Sequence, residues 1–159
     1  MEELILNLGC GSNIRPNMTN VDIRDLPGVN KIADIRELPF PDSCTKLIFL
    51  EDVLEHFTLN DAIIVLKECF RVLRLGGQLN IKVPDLISLT EKVVSDEITP
   101  FVYQEFIYGG QDYPENFHKS GYTPQFLSGI CFTVGFKRVD LIERAHPNFR
   151  MLVIKSKNK

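Results

Sequence analysis

Apolar and polar positions alternate along the chain in a way that separates short strands from longer amphipathic stretches. Leu4 to Leu8 is an apolar run ending in Gly9-Cys10-Gly11-Ser12, the pattern of a buried strand feeding a tight turn. Val21-Asp22-Ile23 and Lys31 to Ala33 predict two further short strands, each leaving an acid at or near its carboxyl end. Lys46 to Leu50 is a fourth, β-prone run. From Leu59 to Leu73 the apolar residues Ile63, Leu66, Phe70 and Leu73 recur at helical spacing, with Gly76-Gly77 as the expected C-terminal stop. Gln78 to Val83 predicts a fifth strand halted by Pro84, and Leu86 to Val94 a helix.

The segment 98–121 shows no clear period and is rich in aromatic residues and glycine. Thr123 as N-cap and Pro124 at the first helical position then open another helix, running through Phe126, Leu127 and Ile130 to Gly135. Lys137 to Ile142 and Arg150 to Ile154 predict two last strands, joined through Pro147-Asn148 by a connection short enough for an antiparallel return. Strands alternating with helices imply an α/β fold, a mostly parallel sheet with an antiparallel last strand and helices on both faces.

Composition narrows the class. The 159 residues suit one domain, 1–159, whose core needs neither disulfides nor a structural metal. A formal charge of -3 leaves no basic stripe to neutralise a row of phosphates, so no nucleic-acid partner is expected. Lys155, Lys157 and Lys159 read as a solvated tail. Cys10, Cys44, Cys69 and Cys131 are widely spaced, without a Cys-x-x-Cys pair or a nearby histidine cluster, so no metal site is expected and reduced thiols are the default. The start lacks the basic residues and long apolar stretch of a signal peptide or membrane span, which predicts a cytoplasmic protein with no membrane partner. The sequon Asn17-Met18-Thr19 is then incidental.

Ligands of open α/β sheets bind outside the carboxyl ends of the strands, where Gly9 to Ser12, Asp22, Asp34 and Glu51 should converge. A glycine turn after the first strand lets backbone approach a ligand, and an acid ending the second strand can accept both ribose hydroxyl hydrogens. A nucleoside ligand is implied. A dinucleotide is the competitor, but Gly-Cys-Gly-Ser-Asn-Ile lacks the third glycine, and Asp22 follows Gly11 by eleven positions where about twenty are expected.

Leu6-Asn7-Leu8-Gly9-Cys10-Gly11-Ser12, followed by Val21-Asp22, resembles motif I and the ribose acid of class I S-adenosylmethionine-dependent methyltransferases. Ala33-Asp34-Ile35-Arg36-Glu37-Leu38-Pro39-Phe40-Pro41-Asp42 resembles the third block of that family, Asp52-Val53-Leu54-Glu55-His56-Phe57 the segment after strand four, and Arg71-Val72-Leu73-Arg74-Leu75-Gly76-Gly77 the turn into strand five, with Leu75 where proline is usual. The resemblance covers residues 4–83 closely and the last strands more loosely. It implies a Rossmann-like sheet, S-adenosylmethionine as cofactor, and a binding set of Asn7, Gly9, Cys10, Gly11, Asp22, Ile23, Asp34, Ile35 and Glu51. Asp22 would hold the ribose, and Asp34 with the backbone of Ile35 the adenine.

Two departures bear on function. The stretch from Ser12 to Asn20, interrupted by Pro16, is too short for the usual first helix, so a reduced N-terminal cap and a pocket wall closed by a homodimer or another partner are expected. Segment 98–121 reads as an active-site cover, and its Gly109-Gly110-Gln111 and Asn116-Phe117-His118-Lys119 resemble small methyltransferases associated with glycan clusters. The expected activity is methyl transfer to an oxygen or nitrogen of a small molecule or saccharide. The rival is a non-catalytic or partner-dependent binding module.

Methyl transfer from a sulfonium needs alignment and water exclusion more than a base. His118 is the first candidate base for a hydroxyl acceptor, with a structural histidine as the plain alternative. Glu51 and Asp52, directly after strand four, are candidates beside the transferred methyl, or caps of the next helix. His56 reads as packing or capping, and Tyr108, Tyr113 and Tyr122 as either an acceptor pocket or core.

Overall fold

The computed structural model describes residues 3–156. The apolar runs form β1 (Leu4–Leu8), β2 (Thr19–Asp22), β3 (Lys31–Ile32), β4 (Thr45–Glu51), β5 (Leu73–Pro84), β6 (Arg138–Ala145) and β7 (Asn148–Ile154). They make one sheet in the order β3-β2-β1-β4-β5-β7-β6. Pairing is parallel from β3 through β5, and β7 runs antiparallel to both its neighbours, with β6 because their connection through Pro147 is short. The helices are α1 (Leu59–Val72), α2 (Leu86–Val94), α3 (Pro100–Tyr108) and α4 (Pro124–Val134). Single 3-10 turns occupy Leu54–His56 and Pro114–Asn116.

Each α-helix starts at an oxygen that satisfies a free backbone N–H. Thr58, Asp85, Thr99 and Thr123 are the N-caps, and proline follows the last two in the first turn, as expected for Thr123-Pro124. Strand residues Leu6, Leu8, Ile48, Leu50, Leu79, Ile81 and Val153 are buried with Val65, Leu66, Leu127 and Ile130 of α1 and α4 in one continuous core.

Helices on both faces were expected, yet α1 and α4 pack on one. Ile5, Phe49, Leu152 and Ile154 alternate to the other face and are only half-buried, and the Arg15 guanidinium lies 4.2 Å from the centre of the Phe49 ring. The reason is chain length: no helix forms between β1 and β2, β2 and β3, or β3 and β4. This is the reduced first helix expected from the Ser12–Asn20 spacing.

Three local expectations also change. Gly76-Gly77 does not stop α1, which ends at Val72; Leu73 is already extended and opens β5. Glycine is needed at 77 because a Cβ there would meet the Arg74 carbonyl oxygen at 2.8 Å. Segment 98–121 contains α3, whose apolar spacing was illegible because none of its residues is fully buried. Lys155 is no solvated tail: its Nζ donates to the carbonyls of Phe70 and Leu73 at 2.7 Å each, capping the end of α1. Lys157 and Lys159 lie outside the described residues.

Candidate functional site

The turn after β1 is built around two glycines with positive φ. At Gly9 (φ 62°) a Cβ would sit 2.6 Å from a Val53 methyl, so only glycine lets the turn lie against the segment after β4. At Gly11 (φ 51°) the space above Cα is open, with only an Arg24 Nη2 within 4 Å. The loop to β2 is tied by a buried amide relay. Asn7 Nδ2 donates to the Asn13 carbonyl at 2.8 Å and to Asn20 Oδ1 at 2.9 Å, while Asn20 Nδ2 donates to Asn30 Oδ1 at 3.0 Å. The Asn7 side chain is thereby spent on the loop.

The two expected cofactor acids share a pattern. Asp22 Oδ2 accepts the Gly11 N–H at 2.7 Å, and its Oδ1 accepts the Arg24 backbone N–H at 3.0 Å and the Arg24 Nε at 3.2 Å. Asp34 likewise accepts the Arg36 N–H at 2.9 Å and its guanidinium at 2.7 Å, which holds the Asp34 carboxyl below its usual range. Each acid thus turns back onto the arginine two residues later, in the repeated Asp-Ile-Arg of 22–24 and 34–36. Mutual repulsion of two bare acids at one sheet edge therefore does not arise. The Arg24 guanidinium also lies 4.6 Å from the centre of the Tyr113 ring, so one cation links the β2 end to segment 98–121.

At the end of β4, Glu51 is clamped by cations. Its carboxylate meets Arg15 Nη2 at 2.7 Å and also Arg150 Nη1, with Lys82 Nζ at 4.0 Å. Burial alone would raise its pKa, but the Arg150 hydrogen bond and the charge of Arg15 outweigh it and leave Glu51 ionised below the ordinary carboxylate range. Asp52 adopts φ 54°, a strained setting for a non-glycine residue, and its carboxylate binds Lys82 and, at 2.9 Å, Asn148 Nδ2. It caps no helix: Val53 precedes the 3-10 turn and makes no side-chain cap bond.

That turn, Leu54–His56, docks segment 98–121. The Glu55 carbonyl accepts N–H groups from Lys119 at 2.8 Å and Ser120 at 3.2 Å, and the buried Tyr122 hydroxyl reaches the Leu54 carbonyl at 3.4 Å. His56 and His118 meet edge to face with ring centres 4.7 Å apart. Burial pushes the Glu55 carboxyl up to about 8, and burial with the neighbouring His118 pushes His56 down to about 4. Burial also lowers His118, partly offset by the Phe106 carbonyl 2.8 Å from its Nδ1.

These groups surround one cavity of about 1120 Å³ at the carboxyl ends of the strands. Every residue proposed from the sequence lines it: Asn7, Gly9, Cys10, Gly11, Asp22, Ile23, Asp34, Ile35, Glu51, Asp52 and His118. Of the three tyrosines, Tyr113 alone lines it; Tyr122 is core and Tyr108 is exposed. Sequence reasoning missed Arg24 and Arg36, which the repeated Asp-Ile-Arg could have flagged. It also missed Glu55, whose burial has no signature in the sequence.

Comparison with known proteins fits this geometry. Residues 6–81 match the family model described as a methyltransferase domain. The chain is 28% identical over 136 residues to a probable S-adenosylmethionine-dependent methyltransferase of Mycolicibacterium smegmatis, with 85% of this chain and 42% of that protein covered. It therefore spans about two fifths of the length of that relative. Among solved structures, a SAM-dependent methyltransferase from Archaeoglobus fulgidus superposes with a TM-score of 0.66 at 15% identity, covering 96% of this chain and 86% of the other. The Burkholderia thailandensis 1,6-didemethyltoxoflavin-N1-methyltransferase, solved with S-adenosylhomocysteine and 1,6-didemethyltoxoflavin, gives 0.68 at 14% identity, covering 97% and 71%. At such identities the structures speak for the fold, and the domain match speaks for the sequence. The chain is thus similar over residues 6–81 to methyltransferase domains in sequence, and similar to S-adenosylmethionine-dependent methyltransferases in fold.

Proposed function

We propose that the chain binds S-adenosylmethionine in this cavity and transfers its methyl group to an oxygen or nitrogen of a small molecule or saccharide. The observation that carries the reading is the Asp22 carboxylate, held 2.7 Å from the Gly11 N–H beside a glycine turn that leaves the cavity open above it. The residues fit the cofactor. Asp22 and Asp34 are each paired with a partly exposed arginine side chain, Arg24 and Arg36, which can swing aside for ribose hydroxyls and the adenine amino group. Among the lining residues the acids Asp22, Asp34, Glu51, Asp52, Asp61, Glu105 and Glu115 outnumber the cations Arg24, Arg36 and Lys119, an excess of negative charge that suits a sulfonium.

When bound, S-adenosylmethionine supplies a methyl group on a sulfonium already disposed to leave. The chain's own part is placement and exclusion of water. Gly9 to Gly11 and Asp22 position the nucleoside. Glu51, ionised and clamped, holds its charge near the amino-acid portion, a positioning role for which a fixed carboxylate is better suited than proton abstraction. Asp52 and His118 face the acceptor, and residues Glu105 to Lys119 wall off solvent.

A second reading is favoured by one observation, the half-buried sheet face of Ile5, Phe49, Leu152 and Ile154: the site works when a second copy or a partner covers that face. Calorimetric titration with S-adenosylmethionine and S-adenosylhomocysteine tests both. Micromolar binding by a monomer supports the first reading; no binding up to millimolar ligand overturns it, and binding that appears only with dimerisation supports the second.

A further inference from the structure

Glu55, His56 and His118 each bring a ligating atom to within 4.8 Å of the other two, and all three line the cavity. Two of these groups each carry one atom without a partner. Glu55 Oε2 and His56 Nδ1 are out of contact with solvent and make no hydrogen bond among the described residues; Glu55 as a whole is 2% exposed. A buried polar atom left unpaired costs about 1–3 kcal/mol, so two of them on adjacent residues of this cluster call for a ligand to satisfy them.

His118 is oriented for the same purpose. Its Nδ1 lies 2.8 Å from the Phe106 carbonyl, and a carbonyl can only accept, so Nδ1 carries the ring proton and Nε2 keeps its lone pair. A backbone carbonyl behind one ring nitrogen is the usual means of aiming the other at a metal ion. The frame around the trio is rigid: the two rings pack edge to face, and the Glu55 backbone is pinned by Lys119 and Ser120.

We propose that Glu55, His56 and His118 form a binding site for a divalent transition-metal ion in the cavity wall, with its remaining coordination positions turned toward the acceptor. Two imidazoles and one carboxylate suit zinc, cobalt, manganese or iron(II), and three protein ligands leave room for an oxygen from outside. The cysteine spacing gave no hint of it, because the ligands come from two segments joined only by the fold.

The consequence for the acceptor rests on the methyltransferase reading above; metal binding itself does not. A cation at this point lowers the pKa of a hydroxyl placed beside it, which selects an oxygen acceptor over an amine. The hydroxyl proton leaves to solvent, an O–CH₃ bond forms as the S–CH₃ bond breaks, and that bond's electron pair stays on sulfur.

The test is calorimetric and spectroscopic titration of the metal-stripped full chain with Zn²⁺, Mn²⁺ and Co²⁺. One equivalent is expected to bind, without the thiolate charge-transfer band that cobalt shows on cysteine. His118→Ala and Glu55→Gln should each weaken binding by on the order of 100-fold. Thermal melts check folding, and if Glu55→Gln fails to fold, His118→Ala decides. No saturable binding, binding that survives a folded His118→Ala, or a thiolate band placing the ion on Cys10 would each overturn the proposal. Separate titrations with S-adenosylhomocysteine keep the two readings apart: metal bound without nucleoside sinks only the cofactor reading, and nucleoside bound without metal sinks only this one.

Discussion

Replacing Asp22 by alanine tests the site at its centre, and the structure sets both sign and size. The carboxylate accepts three N–H groups in the free protein, from Gly11 at 2.7 Å, from the Arg24 backbone at 3.0 Å and from Arg24 Nε at 3.2 Å. Bound nucleoside would replace the Arg24 side chain with two ribose hydroxyls. Those charge-assisted bonds are worth about 1.5–3 kcal/mol. Displacing Arg24, whose side chain is 34% exposed, returns about 0.5 kcal/mol of that. The net loss in Asp22→Ala is then about 1–2.5 kcal/mol, a rise in Kd of about 5- to 70-fold. Arg24→Ala should act in the opposite direction, tightening binding by about twofold, because its carboxylate is already free. Calorimetry with S-adenosylhomocysteine on both variants, each shown to be folded by circular dichroism, reads the pair. A folded Asp22→Ala with the parent's affinity, or an Arg24→Ala that loses binding as Asp22→Ala does, would refute the ribose assignment.

Three further outcomes follow from local structure. Gly9→Ala places a methyl 2.6 Å from Val53 at φ 62° and should cost about 2–5 kcal/mol in urea denaturation, partly recovered by adding Val53→Ala. Asp85 is fully buried, accepts the N–H groups of Ile87 at 3.1 Å and Ser88 at 3.3 Å, and pairs with Arg144; Asp85→Ala should therefore lower stability by about 2–3 kcal/mol. Hydrogen bonds from Arg71, at 2.7 and 2.8 Å, hold the Glu68 carboxyl below its usual 4.5. A depressed folded-state pKa contributes stability that is fully present above 4.5 and is lost as pH falls through the folded value. The stability gap between the parent and Glu68→Gln should accordingly be constant near neutral pH and shrink on acidification below 4.5; a gap that does not change with pH would contradict the pairing.

The chain's local grammar was legible because it depends on near neighbours. Apolar runs bounded by glycine and proline marked β1, β4 and β5; Thr123-Pro124 marked the start of α4; and the Gly9 to Ser12 turn with Asp22 marked the ligand edge. What sequence could not show was how charges and faces are matched across distance. The pairing of Glu51 with Arg15 and Arg150 joins three separate strands and loops, and Lys155 ends up on the carbonyls that close α1. Helix α3 escaped notice because its apolar residues are shared between partial burial and solvent, which blurs the helical period.

Sequence by itself therefore determined the α/β class, the antiparallel last strand and many of the residues that meet in the cavity, since period, turn chemistry and the carboxyl-edge rule act over a few residues at a time. Tertiary structure alone decided that α1 and α4 share one sheet face, that Asp22 and Asp34 are each held by an arginine, and that Glu55 is sealed from water beside His56 and His118. Burial and the proximity of residues distant in sequence arise only when segments pack, and they set the charge state and ligating power of these groups.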